Sequence, residues 1–203
     1  GPHTKNIRLL GDARPYLTTT IFAKVSGYLK NVQVDKGAQV SANQIVAEID
    51  SAELESQYLS ALADLDQKQR IEARTRELLR NNTTSQQTAE QAETNYRMAQ
   101  ETVRNLGIMR SYQTLKAPFD GTVVARFADP GALMQAATTN QASSLPVMQI
   151  ADNRKLRVGI YVEQRDVSAI KVGDEVEIED AANPDRRRKA KISRTAATLD
   201  PRT

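Results

Sequence analysis

Cysteine and tryptophan are absent from this 203-residue sequence, and its one histidine is His3. Without cysteine there is no disulfide framework, no thiol nucleophile and no cysteine-ligated zinc, and the redox compartment stays open between cytoplasm and periplasm. Aromatic residues make up only 4%, so the rings that build stacking platforms are scarce, which argues against nucleotide or single-strand binding. Charge of one sign is lacking too: 28 basic residues face 25 acidic ones, a formal +3, and without a broad basic field a nucleic-acid partner is excluded. No run of about 18 apolar residues exists to span a bilayer. The N-terminus shows neither an apolar signal core nor a lipidation cysteine. Gly1-Pro2 looks like a protease-cleavage scar, so a targeting segment or anchor is expected upstream of it, and His3 reads as part of that scar. No Ser-His-Asp, Cys-His or paired-carboxylate arrangement can be argued, so no enzyme is expected. Met98, Met109, Met134 and Met148 are too scattered for a soft-metal site and read as gap fillers. Neither a metal nor a cofactor is expected.

What is present divides the chain into modules. An apolar content of 39% over 203 residues suits several small cores better than one globule. From Ser51 to Tyr112 there is one glycine, no proline, and much Ala, Gln, Glu, Leu and Arg, a helical composition. From Ala89 the apolar residues fall at Ala92, Tyr96, Ala99, Val103 and Leu106, in the steps of three and four of a coiled-coil seam. The first arm keeps that spacing at Leu54, Tyr58, Ala61 and Leu65, and Lys68 and Glu72 are expected to interrupt it before Leu79. Asn81-Asn82-Thr83-Thr84 between the arms favours a turn and a helix cap, so the arms fold back as a hairpin about 40 Å long.

The flanks carry an internal repeat. Gly27 to Gly37 is echoed by Gly121 to Gly131, with glycines ten apart and alternating apolar residues between them; each copy is followed by a strand ending in aspartate, Ile45 to Asp50 and Val147 to Asp152. The second copy holds a looser insertion from Ala136 to Ser144. Two half-motifs too small to bury a face alone would complete one β-sandwich. Beyond Asp152, Leu156 to Val162 alternate as a strand, Val167 to Val172 reads as a helical turn ending at Gly173, and strands resume at Val176 and Ile178 and at Ala190 and Ile192. Leu17, Thr19, Ile21 and Ala23 also alternate, and this N-terminal strand is expected to join the C-terminal group in a small barrel. Arg186 to Lys189 would top a barrel loop, as a solvated turn or as a basic patch facing a partner or lipid. Asp120, before Gly121, reads as a turn residue.

In this order of parts the sequence resembles the periplasmic adaptor (membrane fusion) proteins of tripartite efflux pumps of the resistance-nodulation-division type. The residues that carry the likeness are Val25-Ser-Gly-Tyr-Leu through Ile49-Asp50, the hairpin, Leu115-Lys-Ala-Pro-Phe-Asp-Gly-Thr-Val, and Val172-Gly173-Asp-Glu-Val-Glu-Ile178. The resemblance implies a mainly β, elongated, multi-domain fold: a split lipoyl-like β-sandwich (residues 23–50 plus 113–152), an inserted antiparallel coiled-coil α-helical hairpin (51–112) and a small antiparallel β-barrel (1–22 plus 153–203). A membrane-proximal domain would begin near Leu199 to Thr203, so the chain looks truncated at both ends. It further implies a non-catalytic connector in the periplasm, attached to the inner membrane in the full-length protein. The implied partners are an inner-membrane transporter, a TolC-type outer-membrane channel and further copies of itself, six in the family. Members that dock on such channels carry Arg, then Leu four residues on, then Ser seven beyond; Arg74, Leu78 and Ser85 fit.

Taken singly these residues have plainer readings. Arg74 reads as a solvated helix arginine, Leu78 as hairpin seam and Ser85 as an N-cap, although Thr84 with Gln87 offers a capping box that would leave Ser85 to a partner. Lipoyl carriers present a modified lysine in a Glu-x-Asp-Lys-Ala turn; here, in Glu48-Ile-Asp50-Ser51-Ala52, Ser51 stands at the lysine position and has no amine to acylate, so a swinging-arm carrier is excluded. Two other functions stay open: an adaptor of an ATP-driven or type I secretion exporter, and a generic coiled-coil scaffold without specificity at the hairpin tip.

Overall fold

A computed structural model describes residues 7–137, 145–163, 166–167, 170–181 and 183–195. His3, most of the insertion at 136–144, two positions of the turn at 167–172 and the segment at 199–203 therefore lie outside the described residues. The chain forms two compact units, 15–157 and 1–14 with 158–203.

The larger unit is built on the repeat. In the first half, β2 (Gly27–Val32), β3 (Gln39–Val40) and β4 (Ile45–Asp50) follow one another; in the second, β6 (Gly121–Arg126), β7 (Leu133–Met134) and β8 (Pro146–Ile160). β2 pairs antiparallel with β4, Leu29 opposite Ile49, and β6 pairs antiparallel with β8, Val123 opposite Ile150, each with a bulge just after. The short strands cross over: β3 pairs with β6 and β7 with β2. Each half thus lends a strand to the other's sheet, and with β1 (Gly11–Phe22) and β5 (Thr114–Lys116) the sheet orders become β1-β8-β6-β3 and β5-β4-β2-β7. Leu29, Val46 and Ile49 from one sheet meet Val123, Met148 and Ile150 from the other in a single buried cluster.

The paired glycines have a steric cause. A Cβ at Gly27 would lie 2.3 Å from the Asp50 carbonyl oxygen, and one at Gly121 would lie 2.7 Å from that of Ala151. Only glycine lets the strands cross so closely. Ten residues later Gly37 and Gly131 hold φ of +90° and +93°, and their N–H groups donate to Val123 O and Leu29 O, each in the other half.

Asp120 does more than turn the chain. Its carboxylate accepts from the Ala42 N–H at 2.8 Å and meets Arg154 Nη1 at 3.4 Å, tying the β3–β4 turn to the second half. Arg154 also grips Asp152 through Nε and Nη2, both at 2.9 Å, and these hydrogen bonds hold the Asp152 carboxyl down at about 2.

β1 pairs with β8, which runs unbroken past Asp152 to Ile160 and so takes in the strand expected from Leu156; Gly11 of β1 lies against Val158 and Ile160. β9 (Glu175–Asp180) and β10 (Asn183–Lys191) form their own antiparallel pair. The basic run expected in a loop lies within β10: Arg187 stands 3.8 Å from Glu177 and 4.0 Å from Glu179. Alternating glutamates on β9 draw these cations into cross-strand pairs. Near the expected helical turn, Ile170 N–H donates to Val167 O at 3.2 Å, and Gly173 closes the segment with φ +99°.

Candidate docking surface at the tip of the helix pair

Between the two halves stand α1 (Ala52–Arg80) and α2 (Gln86–Ser111), packed antiparallel. Arg110 lies 4.4 Å from the Tyr58 ring and pairs with Glu55 at 2.8 Å near the base, while Ile71 and Thr75 share a shallow groove with Thr88, Gln91 and Asn95 near the tip. The helices are mounted without linkers. α1 starts one residue after β4 ends, Ile49 N–H donates to Gln113 O at 2.7 Å, and Lys24 Nζ sits 4.7 Å over the Tyr112 ring. Ser51 is the N-cap residue of α1 and is buried, 8% exposed.

The α2 seam is as expected: Ala92 and Ala99 are buried, and Ala89, Tyr96, Val103 and Leu106 are half-buried. The α1 seam departs from expectation. Lys68 and Glu72 do not interrupt it but occupy it, with Leu54, Tyr58, Ala61, Leu65, Lys68, Glu72, Thr75 and Leu79 all turned inward at steps of four and three. Helix geometry alone decides which residues face the partner, and polar side chains come along with it. Glu72, 7% exposed, is neutralised by Arg76 one turn on, and the Thr75 hydroxyl donates to Ile71 O at 2.7 Å. The small alanines opposite leave room for these groups.

The turn at the tip is a Schellman closure. Asn82 takes φ +54°, its N–H donates to Leu79 O, and the Thr83 N–H reaches back to Leu78 O at 2.8 Å. Asparagine is one of the few residues other than glycine that visits this region at low cost. Ser85, not Thr84, then caps α2. Its Oγ accepts from the Thr88 N–H at 3.1 Å and bonds Thr88 Oγ1 at 2.8 Å. The capping box expected at Thr84 and Gln87 is not formed, because the Schellman turn consumes Asn81 to Thr83 and the first helical residue is Gln86.

These facts locate the three singled-out residues. Arg74 is exposed and makes no ion pair or hydrogen bond among the described residues. Leu78 lies off the seam, 39% exposed, because its neighbour Leu79 holds the inward position. Both precede a seam residue by one, as Ile71 does, so Ile71, Arg74 and Leu78 line one flank. Ser85 lies across the turn with its hydroxyl engaged in the cap. The arrangement offers a free guanidinium, an apolar side chain and a groove lined by amides and hydroxyls, all at the far end of the helices. Sequence reasoning missed that groove; the signal was there in Thr88, Gln91 and Asn95, each one place before a seam residue.

A family model described as CzcB-like, barrel-sandwich hybrid domain matches residues 17–142, more than half of the chain. No curated protein matches the sequence. Among solved structures the chain is similar to a MacA–MexA chimeric protein containing the α-hairpin domain of Pseudomonas aeruginosa MexA, with TM-score 0.81 and 26% identity, over 90% of this chain and 63% of that one. It is also similar to a membrane fusion protein from Streptococcus pneumoniae, with TM-score 0.75 and 19% identity over 92% and 84% of the two chains. A third likeness is to MacA from Actinobacillus actinomycetemcomitans, with TM-score 0.65 and 22% identity over 94% and 65%. The chain thus spans less than two thirds of the length of the chimera.

Proposed function

The chain belongs to the CzcB-like barrel-sandwich hybrid family and has the fold of the membrane fusion proteins, and from that premise we propose that it is a periplasmic adaptor of a tripartite efflux pump. In this reading it is attached to the inner membrane, links a transporter of the resistance-nodulation-division type to a TolC-type outer-membrane channel, and assembles side by side as a hexamer that seals the conduit. It has three parts: the interlocked lipoyl-like sandwich, the coiled-coil hairpin and a β-barrel. Energy comes from the transporter, and the adaptor contributes shape and a seal, with no catalysis. A lipoyl-type swinging arm is foreign to it: Ser51 lacks an amine and is buried at the start of α1.

One observation carries the docking assignment. Arg74 and Leu78 occupy one flank at the far end of the helices without serving the fold, the arginine unpaired among the described residues and the leucine outside the seam. A free guanidinium suits a carboxylate or a helix-end carbonyl of a partner. The test is a drug-susceptibility assay in cells lacking the native adaptor, using the full-length protein carrying Arg74→Asp and Ser85→Asp. Aspartate is itself a good N-cap, so Ser85→Asp keeps the Thr88 N–H satisfied while adding charge. Each substitution should shift stability by no more than about 0.5 kcal/mol, yet efflux should be lost, because contacts repeated around an oligomer multiply through avidity. Wild-type resistance from a stably expressed double variant would sink the assignment.

A further inference from the structure

Sulfur enters this chain only through four methionines, since there is no cysteine. The fold sorts them into two classes. Met134 and Met148 are 0% exposed, in the cluster where the two halves of the sandwich meet. Met98 and Met109 lie on the outer surface of α2, 65% and 48% exposed. Helix register accounts for the second pair: each stands one place before a residue turned toward α1, Ala99 and Arg110, and so is carried about 100° off the seam. Gap filling, the role expected of all four, therefore fits Met134 and Met148 but not Met98 and Met109.

What the exposed pair keeps is the chemistry of a thioether in water. Such a sulfur attacks one oxygen of a peroxide; the oxygen–oxygen bond breaks, that oxygen stays on sulfur as a sulfoxide, and the other leaves as water. Sulfur is oxidised by two electrons and the peroxide is reduced. The surroundings suit the product. Met98 lines a shallow depression with Thr94, Arg97 and Glu101. The Thr94 and Thr102 hydroxyls are spent on the carbonyls of Glu90 and Met98, at 2.8 and 3.0 Å. Arg97 spends an Nη2 bond on Glu93 at 2.8 Å, and a guanidinium has N–H donors beyond that one for a sulfoxide oxygen. In the core the same oxygen would enter an apolar cluster with Leu29, Val123 and Ile150, where an unpaired polar atom costs stability.

We propose that Met98 and Met109 are a reversible modification site, each taking one oxygen atom from a peroxide and releasing it to a thiol-dependent methionine sulfoxide reductase, with the fold the same in both states. In the return step the sulfoxide oxygen leaves as water while two thiols become a disulfide, so electrons balance. Exposure on a helix surface gives both the oxidant and the reductase access, and no packing contact is lost when the side chain becomes polar.

The full chain is treated with hydrogen peroxide at neutral pH and then digested with trypsin, which puts Met98, Met109 and the two core methionines on separate peptides, 98–104, 105–110 and 127–154. Mass spectrometry should show the first two gaining one oxygen each at least about 100-fold faster than 127–154 gains any, because a core methionine reacts only in molecules that have opened. In denaturant all three peptides should react alike. The oxidised chain should keep its helical circular dichroism and its Tm, and the reductases for both sulfoxide epimers, supplied with dithiothreitol, should restore the original masses. Replacing the pair by Met98→Leu and Met109→Leu should abolish oxygen uptake by the native chain. Comparable native rates for 98–104 and 127–154, a fallen Tm once the exposed pair is oxidised, or sulfoxides that the reductases leave in place would each overturn the proposal. No readout involves a channel or a transporter, so the outcome is separate from that of the efflux assay.

Discussion

Leu29→Ala probes whether the two halves of the sandwich are one cooperative unit. Leu29 is 1% exposed in the shared cluster, its N–H donates to Ala132 O at 2.9 Å, and its carbonyl accepts from the Gly131 N–H at 2.7 Å. Truncation keeps those backbone bonds and removes three buried carbons, a loss of about 3 kcal/mol from transfer and cavity terms together. Val123 in the other half donates its N–H to Ala38 O in the first, so its amide is released only when the halves separate. At about 1.4 kcal/mol per decade, protection at Val123 should fall on the order of 100-fold, the same factor as at Gln33, whose N–H donates to Val46 O within the first half. Native-state hydrogen exchange reads both amides in one experiment. If Gln33 lost its protection while Val123 kept the wild-type value, the halves would be separate folding units and the crossed pairing of β3 and β7 would not couple them.

Two further outcomes follow from buried carboxylates. Glu72→Leu should raise the unfolding free energy from chemical denaturation by about 1 kcal/mol, since the seam gains apolar area beside the groove and Arg76, which is 59% exposed, returns to water; a lower free energy would mean that the acid is needed for the helix register. Asp152, held near 2 by its Arg154 hydrogen bonds, favours the folded state at all pH above the ordinary carboxylate value of about 4, and that contribution fades as pH falls from there through about 2. Asp152→Asn should therefore flatten the acid side of the Tm–pH profile in this window, and an unchanged slope would refute the linkage.

The parts of this protein written in local periodicity were legible before any fold was known. The α2 seam from Ala89 to Leu106, the polar turn after Arg80, and the glycines ten apart in each repeat all survive because backbone geometry and side-chain spacing are properties of neighbouring residues. The candidate docking residues were legible only as a spacing. That Leu78 lies outside the seam depends on Leu79 occupying it, and that Ser85 is engaged as a cap depends on how many residues the preceding turn consumes.

Spacing along the chain marks the two helices, most strands of the repeat and the small size of each half, but not the strand that Arg187 to Lys189 join. Contacts between distant segments settle that the halves exchange β3 and β7, that β8 runs on as one strand beside β1, and that Glu72 is taken into the seam. The difference is physical: a residue's spacing is set by its neighbours in the chain, but its burial, charge partner and strand pairing are set by whatever distant segment the fold brings opposite to it.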